Sequence, residues 1–132
     1  MDDTKFRLLD AARKVKENAY APYSGYKVGA AIVAEDGSVF VGCNVENASY
    51  GLTICAERNA LASLVAGGRR IPVSIAIVAK EGMLCPPCGA CRQALMEFNP
   101  ELEIILESQG GGIKVYKLSE ILPLSFSNKD IS

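Results

Sequence analysis

The sequence predicts an α/β fold, a three-layer α/β/α sandwich built on a mixed five-stranded sheet. Three observations carry this. Apolar residues recur at helical spacing in some segments and form short β-branched runs in others. The two kinds interleave in the order α-β-β-α-β-α-β-β-α, and strands that are apolar on both sides need helices on both faces of their sheet. A chain of 132 residues, 49% of them apolar, is long enough to bury such a core as one domain, residues 1–132, without disulfides.

Residues 3–19 read as an amphipathic helix, because Phe6, Leu9, Ala12, Val15 and Ala19 recur at helical spacing. Ala21-Pro22-Tyr23-Ser24-Gly25 breaks it. Lys27 to Ala34 is a nearly continuous apolar run, the pattern of a buried strand. Glu35-Asp36-Gly37 is a turn signal, and Ser38–Val45 completes a hairpin. The small, polar stretch from Asn44 to Thr53 is a loop. A second helix is expected from Ile54 to Ala66, stopped by Gly67-Gly68. Val73–Ala79 is the third strand, and 80–87 a loop. Pro87 suits the first position of a third helix running to Phe98, because an N–H there would have no helical partner. Leu102–Leu106 and Ile113–Tyr116 are the last strands, separated by Gly110-Gly111-Gly112, and Leu118–Leu122 is a short closing helix. Parallel neighbours need crossovers, which the helices at 54–66 and 87–98 are placed to supply.

Composition excludes several function classes. A formal net charge of -1 gives no pull toward a nucleic-acid backbone, and Arg69-Arg70 is too short to make a basic patch. The apolar runs near 28–34 and 75–79 are far too short to span a bilayer. Met1-Asp2-Asp3-Thr4-Lys5 is acidic with no apolar core behind it, so no export signal and a cytoplasmic location are expected. The high apolar fraction also suggests surface kept for other subunits.

The cysteines are more decisive. There are five, an odd number, and Cys85, Cys88 and Cys91 crowd together. With no export signal, that favours metal or redox chemistry over a disulfide framework. There is no histidine, which removes Ser-His and Cys-His nucleophile pairs and His as a general base. Acid–base work near neutral pH must fall to a carboxylate, Lys, Cys or activated water.

The chemistry concentrates at two expected helix starts, Cys55-Ala56-Glu57-Arg58 and Pro87-Cys88-Gly89-Ala90-Cys91-Arg92-Gln93. Unpaired amides and the positive dipole end at such a terminus favour thiolate over thiol. Two termini aimed at one point would let Cys55, Cys88 and Cys91 hold a zinc ion. Three protein ligands leave the fourth tetrahedral position open, which marks a catalytic site. Glu57 is offset so that its carboxylate can stand beside the open position as a proton shuttle. Three thiolates leave such a centre formally anionic, so Arg58 is the expected counter-charge, with Gln93 a further donor to sulfur. Blander readings exist for each part. Cys-x-x-Cys alone is more often a redox pair or half of a structural zinc site, and Cys85 is a possible fourth ligand for the latter. The combination of Cys-x-Glu with a later Pro-Cys-x-x-Cys is what distinguishes them: it is the zinc nucleobase deaminase pattern with Cys in the His slot.

From Ala19 to Phe126 the sequence resembles cytidine deaminase of the short, homotetrameric kind. The stretches that carry the resemblance are Tyr20-Ala21-Pro22-Tyr23-Ser24, Val28-Gly29-Ala30-Ala31, Gly42-Cys43-Asn44-Val45-Glu46-Asn47-Ala48, the two cysteine motifs, and Leu122-Pro123 followed by Ser125-Phe126. The resemblance implies one zinc per subunit on Cys55, Cys88 and Cys91, with Glu57 as proton shuttle. It implies that Asn44 and Glu46 bind the ribose, that the Ala56 amide meets the pyrimidine carbonyl, and that Tyr26 stacks on the ring where the family usually has Phe. It further implies a homotetramer with active sites at subunit interfaces, into which Phe126 reaches from a neighbouring subunit. Pro86 stands where the family usually has Ser or Thr; the backbone carbonyl expected to meet the leaving amino group is retained. Cys85 has no assigned role.

The implied reaction is hydrolytic deamination of cytidine and deoxycytidine to uridine and deoxyuridine, with a nucleoside as the only partner besides other copies of the chain. Three rivals differ in class. A deaminase of another aminopyrimidine nucleoside is disfavoured by the Asn44–Glu46 pair. A nucleic-acid deaminase is disfavoured by the balanced charge and missing histidine. A non-catalytic zinc-stabilised module would need Cys85 as a ligand.

Overall fold

The computed structural model of the chain describes residues 3–80, 85–108, 110 and 112–125. Helix α1 (Thr4–Lys16) precedes the hairpin β1 (Gly29–Ala34) and β2 (Val39–Cys43), and α2 (Ala56–Ala66) leads to β3 (Pro72–Val78). Helix α3 (Gly89–Met96), strands β4 (Glu103–Glu107) and β5 (Ile113–Lys117) and the single turn α4 (Leu118–Ile121) complete the order. The strands form one five-stranded sheet in the order β2-β1-β3-β4-β5. Only β3 and β4 run parallel among neighbours; the other three pairs are antiparallel.

Period-two alternation sorts the strand residues between two cores. Ala30, Ile32, Ile75, Ile77, Ile104 and Leu106 pack with Ala60, Leu61 and Leu64 of α2 and Leu95 of α3. Ala31, Val33, Ala76, Val78 and Ile105 pack with Leu8, Leu9 and Ala12 of α1. This is the three-layer sandwich, and it explains why β1 reads as an unbroken apolar run: all six of its residues are buried. Among the described residues no helix is long and apolar enough to cross a membrane.

Two glycines set the distance between layers. A Cβ on Gly42 would lie 2.3 Å from Ala60 N and 2.7 Å from Ala56 O, so β2 and the first turns of α2 meet backbone to backbone. Gly29 does the same for α1, where a Cβ would lie 2.0 Å from Ala12 O.

Several boundaries differ from the sequence expectation. Helix α1 ends at Lys16, and the periodicity through Ala19 continues as tighter bonds from Asn18 N to Val15 O and Ala19 N to Lys16 O. The hairpin ladder stops at Gly29 and Cys43 because the Val28 amide donates to the Asn44 side chain instead of to a strand. Helix α3 starts at Gly89, not at Pro87, because Cys88 is still extended. Helix α3 is the crossover of the parallel pair β3–β4, as its position suggested. Helix α2 also joins two strands of like direction, but β1 lies between them, so it does not connect neighbours.

Candidate metal centre and active site

The site lies beyond the carboxyl ends of the parallel strands β3 and β4, where ligands gather in open α/β sheets. Cys55 caps α2 with an extended backbone (φ -73°, ψ 154°), and Cys88 caps α3 the same way (φ -69°, ψ 169°). Each helix therefore turns in only after its cysteine, and both first-turn amide clusters face the same region. Cys91 is three residues after Cys88, one helical turn, which brings the two sulfurs to one side.

The sulfurs of Cys55, Cys88 and Cys91 all lie within 4.8 Å of one another. Cys55 Sγ and Cys88 Sγ are 3.9 Å apart, and Cys88 Sγ and Cys91 Sγ 3.4 Å. Zn–S bonds of about 2.3 Å in a tetrahedral site set sulfurs roughly 3.8 Å apart, so the triangle fits zinc. Cys85 stands outside this group, which leaves three ligands among the described residues and removes the basis for a closed four-sulfur site. A second observation agrees. Arg58 Nε is buried without a hydrogen-bond partner, while its guanidinium lies against the sulfurs of Cys55 and Cys91, which hold its pKa above the ordinary value. A buried donor left for thiolate sulfur is what an anionic metal centre provides. Arg58 is itself anchored by Nη2 donating to Thr53 O at 3.3 Å.

The charges explain why a cation belongs here. Burial pushes the Cys91 thiol far up, helped by the charge of Glu57 and by the Cys88 thiol. Burial also raises Cys55, against the Cys91 thiol and Arg58. Cys88 alone is lowered: burial is the largest single influence and opposes ionisation, but the amides of Cys91 and Ala90 and the two neighbouring thiols together outweigh it. Packed this closely, the three sulfurs ionise together only around a compensating positive ion.

Glu57, the second residue of α2, is 5% exposed. Burial raises its pKa, opposed by its own backbone amide, the Cys91 thiol and the Arg58 charge. A carboxyl held up in this way is poised to take and give protons.

A cleft of about 200 Å³ opens over the centre, lined by Asn44, Cys55, Ala56, Glu57, Cys85 and Cys88 together with Val28, Thr53 and Pro86. A second cleft of about 350 Å³, lined by Tyr23, Ser24, Glu46, Asn47, Tyr50 and Thr53, shares Thr53 with the first. Asn44, Ala56 and Glu57 are thus brought together with the metal cluster, while Glu46 faces the neighbouring cleft. Both polar residues also clamp the 23–28 loop. Asn44 accepts from Val28 N (2.8 Å) and donates to Tyr26 O (2.9 Å). Glu46 accepts from the amides of Tyr23 and Ser24 and from the Ser24 hydroxyl. Tyr26 is 41% exposed, and burial first, then the Cys85 thiol, raise its phenol. The phenol and the Cys85 thiol thus influence each other's ionisation, and Tyr26 lines neither of the two clefts. Gln93 is half-buried on α3, two residues beyond Cys91. Phe126 lies outside the described residues.

Comparison with known proteins decides the family. The cytidine and deoxycytidylate deaminase zinc-binding region matches residues 2–106. The chain belongs to this family. It is 47% identical over 126 residues to a cytidine deaminase of Halalkalibacterium halodurans, covering 95% of this chain and 96% of that one. A crystal structure of cytidine deaminase from Burkholderia pseudomallei superposes with a TM-score of 0.86 at 49% identity, covering 92% and 98% of the two chains. One from Mycobacterium tuberculosis gives 0.84 at 39% identity, covering 95% and 98%. The fold and the zinc-binding character of the cysteine cluster are those of the family. Two residues at this site had no role in the sequence reading, Thr53 and Ser24, and Cys85 was weighed there only as a fourth zinc ligand. Thr53 and Ser24 carry no spacing signal, because their neighbours come from distant segments.

Proposed function

We propose that this chain catalyses the hydrolytic deamination of cytidine and deoxycytidine to uridine and deoxyuridine, releasing ammonia. The observation that carries the reading is the buried carboxyl of Glu57 beside an open, three-sulfur zinc site. Cys55, Cys88 and Cys91 hold the ion, which when bound supplies the Lewis acidity that makes water a nucleophile near neutral pH. Glu57 takes the proton of the attacking water and delivers it to ring N3 as C4 is attacked. A second transfer through Glu57 carries the proton of the new C4 hydroxyl to the amino nitrogen, so that the C4–N bond breaks, ammonia leaves and C4 becomes a carbonyl. The Pro86 carbonyl at the cleft accepts a hydrogen bond from that nitrogen. The Ala56 amide, in the first turn of α2 where no helical acceptor exists, is a donor for the pyrimidine carbonyl.

The clefts divide the substrate. The smaller one, about 200 Å³, suits a single ring, and Tyr26, which interacts with the cleft-lining Cys85 though it is not itself in the lining, is the aromatic side chain available to stack on it. The sugar extends past Thr53 toward Glu46, with Asn44 at the junction. An amide and a carboxylate suit its hydroxyls. Arg58 offsets the charge of the thiolates, with Gln93 as a further donor near them.

We also propose a cytoplasmic, single-domain homotetramer. Tyr50 is 79% exposed and Leu52 64%, beside the second cleft. Apolar surface so placed is suited to a neighbouring subunit, and Phe126 of such a neighbour would complete the site. The loss of cytidine absorbance on incubation with the purified protein, with and without a zinc chelator, tests the activity. No turnover, or turnover indifferent to stripping the metal, would refute it. Sedimentation velocity tests the assembly.

A further inference from the structure

We infer, resting on the sugar role proposed for Glu46, that Ser24 is a positioning residue that aims this carboxylate so that one acceptor position faces the second cleft. Glu46 Oε1 accepts from the amides of Tyr23 (2.9 Å) and Ser24 (3.1 Å), and Oε2 accepts from the Ser24 hydroxyl. The direction of this last bond is settled by its neighbours. The Tyr26 amide donates into Ser24 Oγ at 3.0 Å. The one hydroxyl proton then goes to the carboxylate, which has none to give. An ionised carboxylate has about four acceptor positions. Three are spent within the loop, and the remaining one belongs to Oε2. Glu46, Tyr23 and Ser24 line the same cleft, so that position opens onto it.

The same loop orients Asn44. Its Oδ1 is held by Val28 N and one Nδ2 hydrogen by Tyr26 O, which leaves one N–H. The two residues thus present one donor and one acceptor. A sugar that runs from the first cleft past Thr53 into the second meets the donor of Asn44 and then the acceptor of Glu46, which a sugar hydroxyl answers. Removing the Ser24 hydroxyl frees a second position on Oε2 and unties the Tyr26 amide, so the carboxylate loses its direction while the zinc centre is untouched.

The test compares cytidine with 3′-deoxycytidine in the wild type, Ser24→Ala, Ser24→Thr and Glu46→Gln. Ser24→Ala should raise KM for cytidine about fivefold, the factor of one net hydrogen bond, with kcat nearly constant and KM for 3′-deoxycytidine little moved. Ser24→Thr, which keeps the hydroxyl, should restore the cytidine KM. General loosening of the loop affects both nucleosides alike, so the ratio of the two KM values remains the readout even if Ser24→Ala melts earlier. Equal rises for both, or a fall in kcat alone, would overturn the role of Ser24. If Glu46→Gln leaves the ratio unchanged, the sugar role of Glu46 falls and takes Ser24 with it. If Glu46→Gln collapses the ratio and Ser24→Ala does not, the role of Ser24 alone falls.

Discussion

Replacing Gly42 by Ala adds one methyl group where β2 meets α2. The new Cβ would lie 2.3 Å from Ala60 N, 2.7 Å from Ala56 O and 2.8 Å from Asn59 C, against an ordinary contact of 3.4–4 Å. All three neighbours are backbone, so no side chain can swing aside. Helix α2 must move away from the sheet by about 1 Å, or the strand must buckle. Overpacking of this kind costs about 1–3 kcal/mol; at 2 kcal/mol, a chain of this size loses roughly 8 °C in Tm. The functional cost should be larger than the loss of stability implies, because α2 carries Cys55 and Glu57 while Cys88 and Cys91 ride on α3. Metal sites tolerate errors of about 0.2 Å in ligand distance, and the sulfur triangle has sides of 3.9 and 3.4 Å where it crosses and follows the helix ends. Zinc content after dialysis against a chelator, measured beside thermal melting, checks this. Gly51→Ala is the control, since its Cβ would meet nothing within 4 Å, and its Tm should stay put. Unchanged melting and zinc retention in Gly42→Ala would refute the reasoning that this close approach sets the metal geometry.

Three further outcomes are expected. Glu57→Gln should keep its zinc and lose more than the roughly 10²–10⁴-fold usual for acid–base catalysis, because the proposed reaction routes both proton transfers through this carboxyl; single-turnover kinetics with metal analysis would show it. Arg58→Ala should lower both zinc affinity and activity, since it leaves the sulfurs without their adjacent positive charge, and competition with a chromophoric chelator reads the first directly. Asp36 is held below the ordinary carboxylate range by the Ser38 amide, then by Arg69 and the Ser38 hydroxyl. A depressed pKa contributes stability above the unfolded value of about 3.9 and loses it as pH falls through the folded value. The Tm advantage of the wild type over Asp36→Asn should therefore be present at about pH 6 and shrink progressively as the pH falls below the unfolded value; an advantage undiminished in strong acid would contradict it.

Much of the fold was legible because its cores obey simple periods. Strand β1 reads as a run of six apolar residues because both faces of the sheet are covered, and the buried stretch from Ile75 to Val78 of β3 reads the same way for the same reason. Pattern does not carry what happens at the ends. Cys88 is extended although Pro87 looked like the start of a helix, and Val28 leaves the ladder because a side chain from Asn44 takes its amide. The second outcome depends on groups sixteen residues apart, which local spacing cannot register.

The layered α/β architecture and the chemistry of the centre were both readable from the chain: thiol ligands at two helix starts, one carboxyl among them, and no histidine to compete. Those follow from residue type and from spacing within single elements. The folded chain sets Cys85 outside the metal group and near Tyr26, and turns Glu46 and Asn44 toward different clefts while they hold one loop. It also decided that Gly42 sets how closely α2 approaches the sheet. Each of these is a distance between segments remote in the chain, and such distances are set by packing and hydrogen bonding across the whole fold.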